Sequence, residues 1–97
     1  MPLSTKPLDL AEYADTPESQ AFLLSDAVTS GDPPYITHAL GIIARARGMS
    51  NIAEKAGVKR ETLYKALSMT GDPKLSTLLG VFRALGLKLT LEVIPDP

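Results

Sequence analysis

Lys59, Arg60, Glu61, Thr62, Tyr64 and Lys65 place six polar side chains within seven consecutive positions. These types suit binding better than catalysis. An arginine grips guanine O6 and N7 with two parallel N–H donors, and a glutamate accepts from cytosine N4. Lysines act as flexible point charges and suit backbone phosphates. A tyrosine offers its ring to a thymine methyl or its hydroxyl to a phosphate oxygen. Some ten residues upstream, Ser50 and Asn51 stand where a helix is expected to begin. Free N–H groups at a helix start attract a phosphate. Taken together, Ser50, Asn51, Lys59, Arg60, Glu61, Thr62, Tyr64 and Lys65 are candidate contacts to double-stranded DNA.

Side chains like these need a frame that aims them. Met49–Ser68 reads as a helix-turn-helix, two short helices crossing at close range. Ala53 is small where the second helix passes over it, and Gly57 permits the positive φ of a sharp turn. Val58 plugs the gap beneath the turn. Ile52, Leu63 and Leu67 fall at the spacing that buries the inner faces. The second helix is expected to enter the major groove by its N-terminal end.

Charge is divided along the chain in the same sense. Residues 1–42 hold one base, Lys6, against six acids: Asp9, Glu12, Asp15, Glu18, Asp26 and Asp32. Residues 43–74 hold seven bases (Arg45, Arg47, Lys55, Lys59, Arg60, Lys65, Lys74) against three acids (Glu54, Glu61, Asp72). The formal net charge of −1 therefore conceals a basic segment that coincides with the motif. A polyanion responds to the local field, because screening limits its reach to about 8 Å at physiological salt.

The flanking elements follow from start and stop signals. Asp9–Tyr13 suggests a single helical turn. Thr16, Pro17 and Glu18 form a start signal, Ala21, Leu24, Ala27 and Val28 recur at helical spacing, and Gly31 stops the helix. Asp32-Pro33 repeats the start, and Ile36, Ala39, Leu40, Ile43 and Ala46 form one stripe up to Gly48. After the motif, Thr70-Gly71-Asp72-Pro73 makes a turn. A last helix over about Leu75–Leu85 presents Leu75, Leu78, Leu79, Phe82 and Leu85 before Gly86. The period then changes to two. Leu87-Lys88-Leu89-Thr90-Leu91-Glu92-Val93-Ile94 alternates as a strand, and Pro95 ends it.

An unpaired apolar strand is an aggregation hazard. Pairing with the same strand of a second copy removes it and builds a two-fold homodimer, with Leu87, Leu89, Leu91 and Val93 at the interface; the other reading is an irregular tail packed on its own helices. Two reading helices about 34 Å apart then face a palindromic operator. The expected division is an acidic helical extension over 1–32, the DNA-binding unit over 33–86 and a dimerisation strand and tail over 87–97.

Several classes are unsupported. At 97 residues and 44% apolar content, the chain suits one compact domain. With no cysteine there is no disulfide framework and no thiolate chemistry. The one histidine, His38, has no partner pattern, and no phosphate loop or dinucleotide fingerprint occurs. No enzyme, metal or cofactor is expected. No apolar run reaches the roughly 18 residues that cross a bilayer, and Met1–Lys6 leads into no signal-type apolar core. A cytoplasmic protein without membrane contact is expected.

Over residues 33–86 the chain resembles the Cro/C1-type (XRE) repressor domain. As a whole it resembles addiction-module antidote proteins, antitoxins of type II toxin–antitoxin systems close to the HigA-like group. The resemblance rests on Leu8–Tyr13 with Asp15–Glu18, on Leu40–Ser50, on Ile52–Gly57, on Arg60–Leu67, and on Leu78 with Ala84–Leu89. It implies an all-α, five-helix, lambda-repressor-like fold with a short N-terminal helical extension. It also implies a RelE/HigB-like toxin, a small basic ribonuclease encoded beside the antitoxin, and repression of their shared operon. The acidic residues 9–32 suit such a basic partner, and equally suit a solvated helix face. A stand-alone Cro/C1-type repressor, and a protein-binding module whose motif no longer reads DNA, remain open readings of the same residues.

Overall fold

The computed structural model describes residues 14–95, so the turn expected at Asp9–Tyr13 lies outside the described residues. Five α-helices build the fold there: α1 (Pro17–Ser30), α2 (Pro33–Arg47), α3 (Met49–Ala56), α4 (Arg60–Ala66) and α5 (Leu75–Ala84).

Local chemistry explains where the helices begin and end. Thr16 is extended, and its hydroxyl accepts from the Ser19 N–H at 3.1 Å. Ser19 Oγ accepts in return from the Thr16 N–H at 3.3 Å, which closes a capping box. Pro17 then occupies the first helical position, where its missing N–H costs nothing. Pro33 does the same for α2, although the Asp32 side chain makes no capping hydrogen bond. Gly31 and Gly48, both at positive φ, close α1 and α2.

One core joins all five helices. Leu40 and Ile43 of α2, Ile52 of α3, Leu63 and Leu67 of the α4 region and Val81 of α5 are fully buried. Each such side chain contributes about 1.5–3 kcal/mol by leaving water. Leu23, Leu24 and Ala27 carry α1 into the same cluster. The most extensive packing is between α3 and α5, and Gly80 permits their close approach. A Cβ at Gly80 would lie 2.9 Å from the Ala56 carbonyl oxygen.

Three expected stripes are corrected in detail. On α1 the buried positions are Gln20, Leu23, Leu24 and Ala27, while Val28 is exposed. On α2, Ala44 is buried and Ala46 is exposed. On α5, Leu75 and Leu79 face outward and Thr77, Gly80, Val81 and Ala84 face inward with Phe82. In each case the face opposite a neighbouring helix, rather than the apolar count, decides what is buried.

A polar bolt ties the first, second and last helices together. The Gln20 amide is 2% exposed and donates through Nε2 to the Ala14 carbonyl at 2.8 Å. Its Oε1 accepts from Arg47 Nη1 at 2.7 Å, and Arg47 Nη2 donates to the Leu85 carbonyl at 3.2 Å. Tyr35 adds a second link between α1 and α2, donating its hydroxyl proton to Asp26 Oδ2 at 2.7 Å.

The C-terminal segment departs from expectation. Residues 87–94 form neither helix nor strand in the single chain, and no strand occurs among the described residues. The physical reason is that a strand exists through its ladder hydrogen bonds, and nothing within one chain offers a second edge. Leu87 packs against the core, whereas Leu91 is 98% and Val93 95% exposed.

Candidate nucleic-acid interface

The surface is built on the α3–α4 pair. Gly57 ends α3 in the left-handed region, at φ 77° and ψ 28°. An L-side chain there costs about 1 kcal/mol or more, so glycine fits the turn. The Gly57 N–H donates to the Glu54 carbonyl at 3.2 Å, and the Val58 N–H to the Ala53 carbonyl at 3.0 Å. Val58 is half-buried against the core beneath this turn. Ala53 is 2% exposed, so no larger side chain fits without displacing a neighbour. Ile52, Leu63 and Leu67 are buried and hold the inner faces of both helices.

All eight residues expected from the sequence to touch DNA are exposed: Ser50, Asn51, Lys59, Arg60, Glu61, Thr62, Tyr64 and Lys65. Their placement differs from expectation at one point. Lys59 is not within the second helix but is its extended N-cap, and α4 starts at Arg60. Ser50 and Asn51 lie in the first turn of α3, whose N-cap, Gly48, supplies no side-chain cap to the N–H groups there.

Arg60 and Tyr64 meet one turn apart on α4. The guanidinium carbon lies 5.1 Å from the ring centroid, and Nη2 donates to the phenol oxygen at 3.4 Å. This pairing is absent from the sequence-based expectations, although an arginine four residues before a tyrosine on a helix carries the signal. The other correction concerns the basic segment. Arg47 counts among its bases but turns inward to Gln20 and Leu85. Arg45, Lys55, Lys59, Arg60, Lys65 and Lys74 are the bases that remain exposed.

Outside this surface, Asp15, Glu18, Asp26 and Asp32 are exposed around α1. Asp9 and Glu12 lie outside the described residues. Of the four residues expected to form a dimer contact, Leu87 is half-buried, while Leu89, Leu91 and Val93 are exposed. No group of three or more His, Cys, Asp or Glu side chains suited to a metal ion occurs among the described residues. No helix there is long and apolar enough to cross a membrane.

Fold and surface together define a small all-helical protein that presents a mostly basic, polar face on two short helices. The chain belongs to the family described as "Probable addiction module antidote protein", whose model matches residues 4–93. It is thus of the antidote class, the members of addiction modules that counter a toxin. A protein of Haemophilus influenzae (strain ATCC 51907 / DSM 11121 / KW20 / Rd), described as an uncharacterized protein, is 42% identical over 87 residues, covering 90% of each chain. No solved structure matches the chain.

Proposed function

We propose that this chain is the antitoxin of a type II toxin–antitoxin pair, close to the HigA-like group, and a sequence-specific repressor of its own operon. In this reading Met49–Ser68 is a helix-turn-helix within a Cro/C1-type, lambda-repressor-like unit over residues 33–86. A homodimer joined through residues 87–97 presents α4 of each copy to one half of a palindromic operator. The observation that carries the reading is the separation of roles along α3 and α4. Ile52, Ala53, Leu63 and Leu67 are buried, while the eight polar candidates between and around them are all exposed. Lys59 and Lys65 then hold phosphates, Arg60 and Glu61 read base edges, and Ser50 and Asn51 seat the α3 start on the backbone.

Antidote membership supports a toxin partner, and the exposed acids around α1 favour a basic one of the RelE/HigB-like ribonuclease type. The 1–32 segment is the part assigned to it, in the cytoplasm. Co-expression of the chain with the product of its neighbouring gene tests this. The expected result is a stable complex with a basic protein of similar size and restored growth of cells expressing that protein. No complex and no basic neighbour would leave a stand-alone repressor.

A further inference from the structure

The exposed C-terminal segment has a property that goes beyond alternation. Leu87-Lys88-Leu89-Thr90-Leu91-Glu92-Val93 is symmetric about Thr90. Apolar residues stand at equal distances on both sides, and Lys88 and Glu92 occupy mirror positions with opposite charge. Lys88, Leu89, Thr90, Leu91, Glu92 and Val93 are all exposed, and Leu91 and Val93 almost completely so.

From this symmetry we infer that two copies pair these segments antiparallel in a single register, with the two-fold axis through Thr90. The inference rests on the homodimer proposed above and names its geometry. In this register Leu87 faces the partner's Val93, Leu89 faces the partner's Leu91, and Thr90 faces the partner's Thr90. Lys88 faces the partner's Glu92 on both sides of the axis. Directly opposed side chains in an antiparallel pair share one face, so the ribbon is apolar on the leucine face and polar on the lysine–glutamate face.

Neighbouring registers lose this match. Centring on Leu89 sets Lys88 against Thr90 and Glu92 against Gly86. Centring on Leu91 sets Lys88 against Ile94 and Glu92 against Thr90. A slip of one residue sets Leu89, Leu91 and Val93 against polar side chains or glycine. The structure also supplies a seat for the apolar face. An open groove of about 520 Å³ runs between the tail and the helices, with Leu24 and Val28 of α1 and Phe82 of α5 among its walls. Leu87 is already packed on the core and anchors the segment at the edge of this groove, while Leu89, Leu91 and Val93 stay exposed and available to a second copy.

The test uses charge reversal in the full chain, read by sedimentation velocity and native mass spectrometry. The wild type is expected to be dimeric at micromolar concentration. Lys88→Glu and Glu92→Lys each place like charges opposite one another twice, which weakens each homodimer about tenfold. Mixing the two variants restores both opposite-charge pairs, so heterodimers exceed the statistical share and regain wild-type affinity. The Lys88→Glu/Glu92→Lys double variant alone also regains it. A dimeric wild type whose single variants associate normally and mix statistically would overturn the register while leaving the dimer intact. A monomeric wild type would overturn the dimer and the register with it.

Discussion

The Arg60 guanidinium sits over the Tyr64 ring, 5.1 Å from its centroid, on the exposed side of α4. Stacking removes part of the rotamer freedom that a long side chain otherwise loses on binding. Arg60→Ala is expected to weaken operator binding by roughly tenfold or more, the scale of one base contact. Its melting temperature should stay near wild type, because exposed substitutions rarely exceed about 0.5 kcal/mol. Tyr64→Phe keeps the ring and should bind almost normally, whereas Tyr64→Ala should weaken binding several-fold. Fluorescence anisotropy on an operator duplex reads all three. Equal affinity for Tyr64→Ala and wild type would mean that the stack positions nothing.

The Gln20–Arg47 hydrogen bond joins residues 27 positions apart and belongs to stability rather than recognition. Gln20→Ala leaves the Arg47 guanidinium and the Ala14 carbonyl without their shared partner. Such a loss costs about 1–3 kcal/mol. For a domain of this size that lowers the melting temperature by roughly 5–15 °C. Circular dichroism melts measure it, and an unchanged midpoint would show that water replaces Gln20 without loss.

Gly80 faces the Ala56 backbone in the interior of α5. Alanine there would ordinarily strengthen a helix by about 0.5–1 kcal/mol. Here its Cβ would stand 2.9 Å from a carbonyl oxygen, so α3 and α5 must separate. Gly80→Ala is expected to destabilise by about 1–3 kcal/mol, as overpacking does. A stabilised variant in urea unfolding would show that the helix pair yields easily.

Operator binding should weaken steeply with salt, because phosphate binding releases counterions. Lys59→Ala and Lys65→Ala should each reduce the magnitude of the salt slope by about one for a single subunit, or about two for a dimer. A titration between low and physiological salt gives the slopes. Slopes equal to wild type would mean that these lysines do not hold phosphates.

What is legible in the sequence is chiefly local. Thr16-Pro17, Pro33, Gly31, Gly48 and Gly57 mark helix ends through backbone geometry that each residue carries by itself. The alanine, glycine and leucine positions of α3 and α4 are readable because close crossing of two helices narrows the choice of side chain. The rest depends on distant parts of the chain. Val28 and Leu79 are apolar yet exposed. Arg47 resembles one more base of the basic segment, yet its partners, Gln20 and Leu85, lie 27 and 38 positions away. The alternation over 87–94 is real in the sequence, but the single chain holds no second edge to make it a strand.

The most direct measurement is a gel shift of the full chain on the DNA upstream of its own gene, against unrelated DNA of equal length. Wild type should form a discrete complex at concentrations at least about a thousandfold below those needed for unrelated DNA, the usual lower bound for specific sites. Arg60→Ala and Lys65→Ala should both lose that complex while remaining folded. Equal binding to both DNAs, or undiminished binding by both variants, would contradict the assignment of α4 as the reading helix.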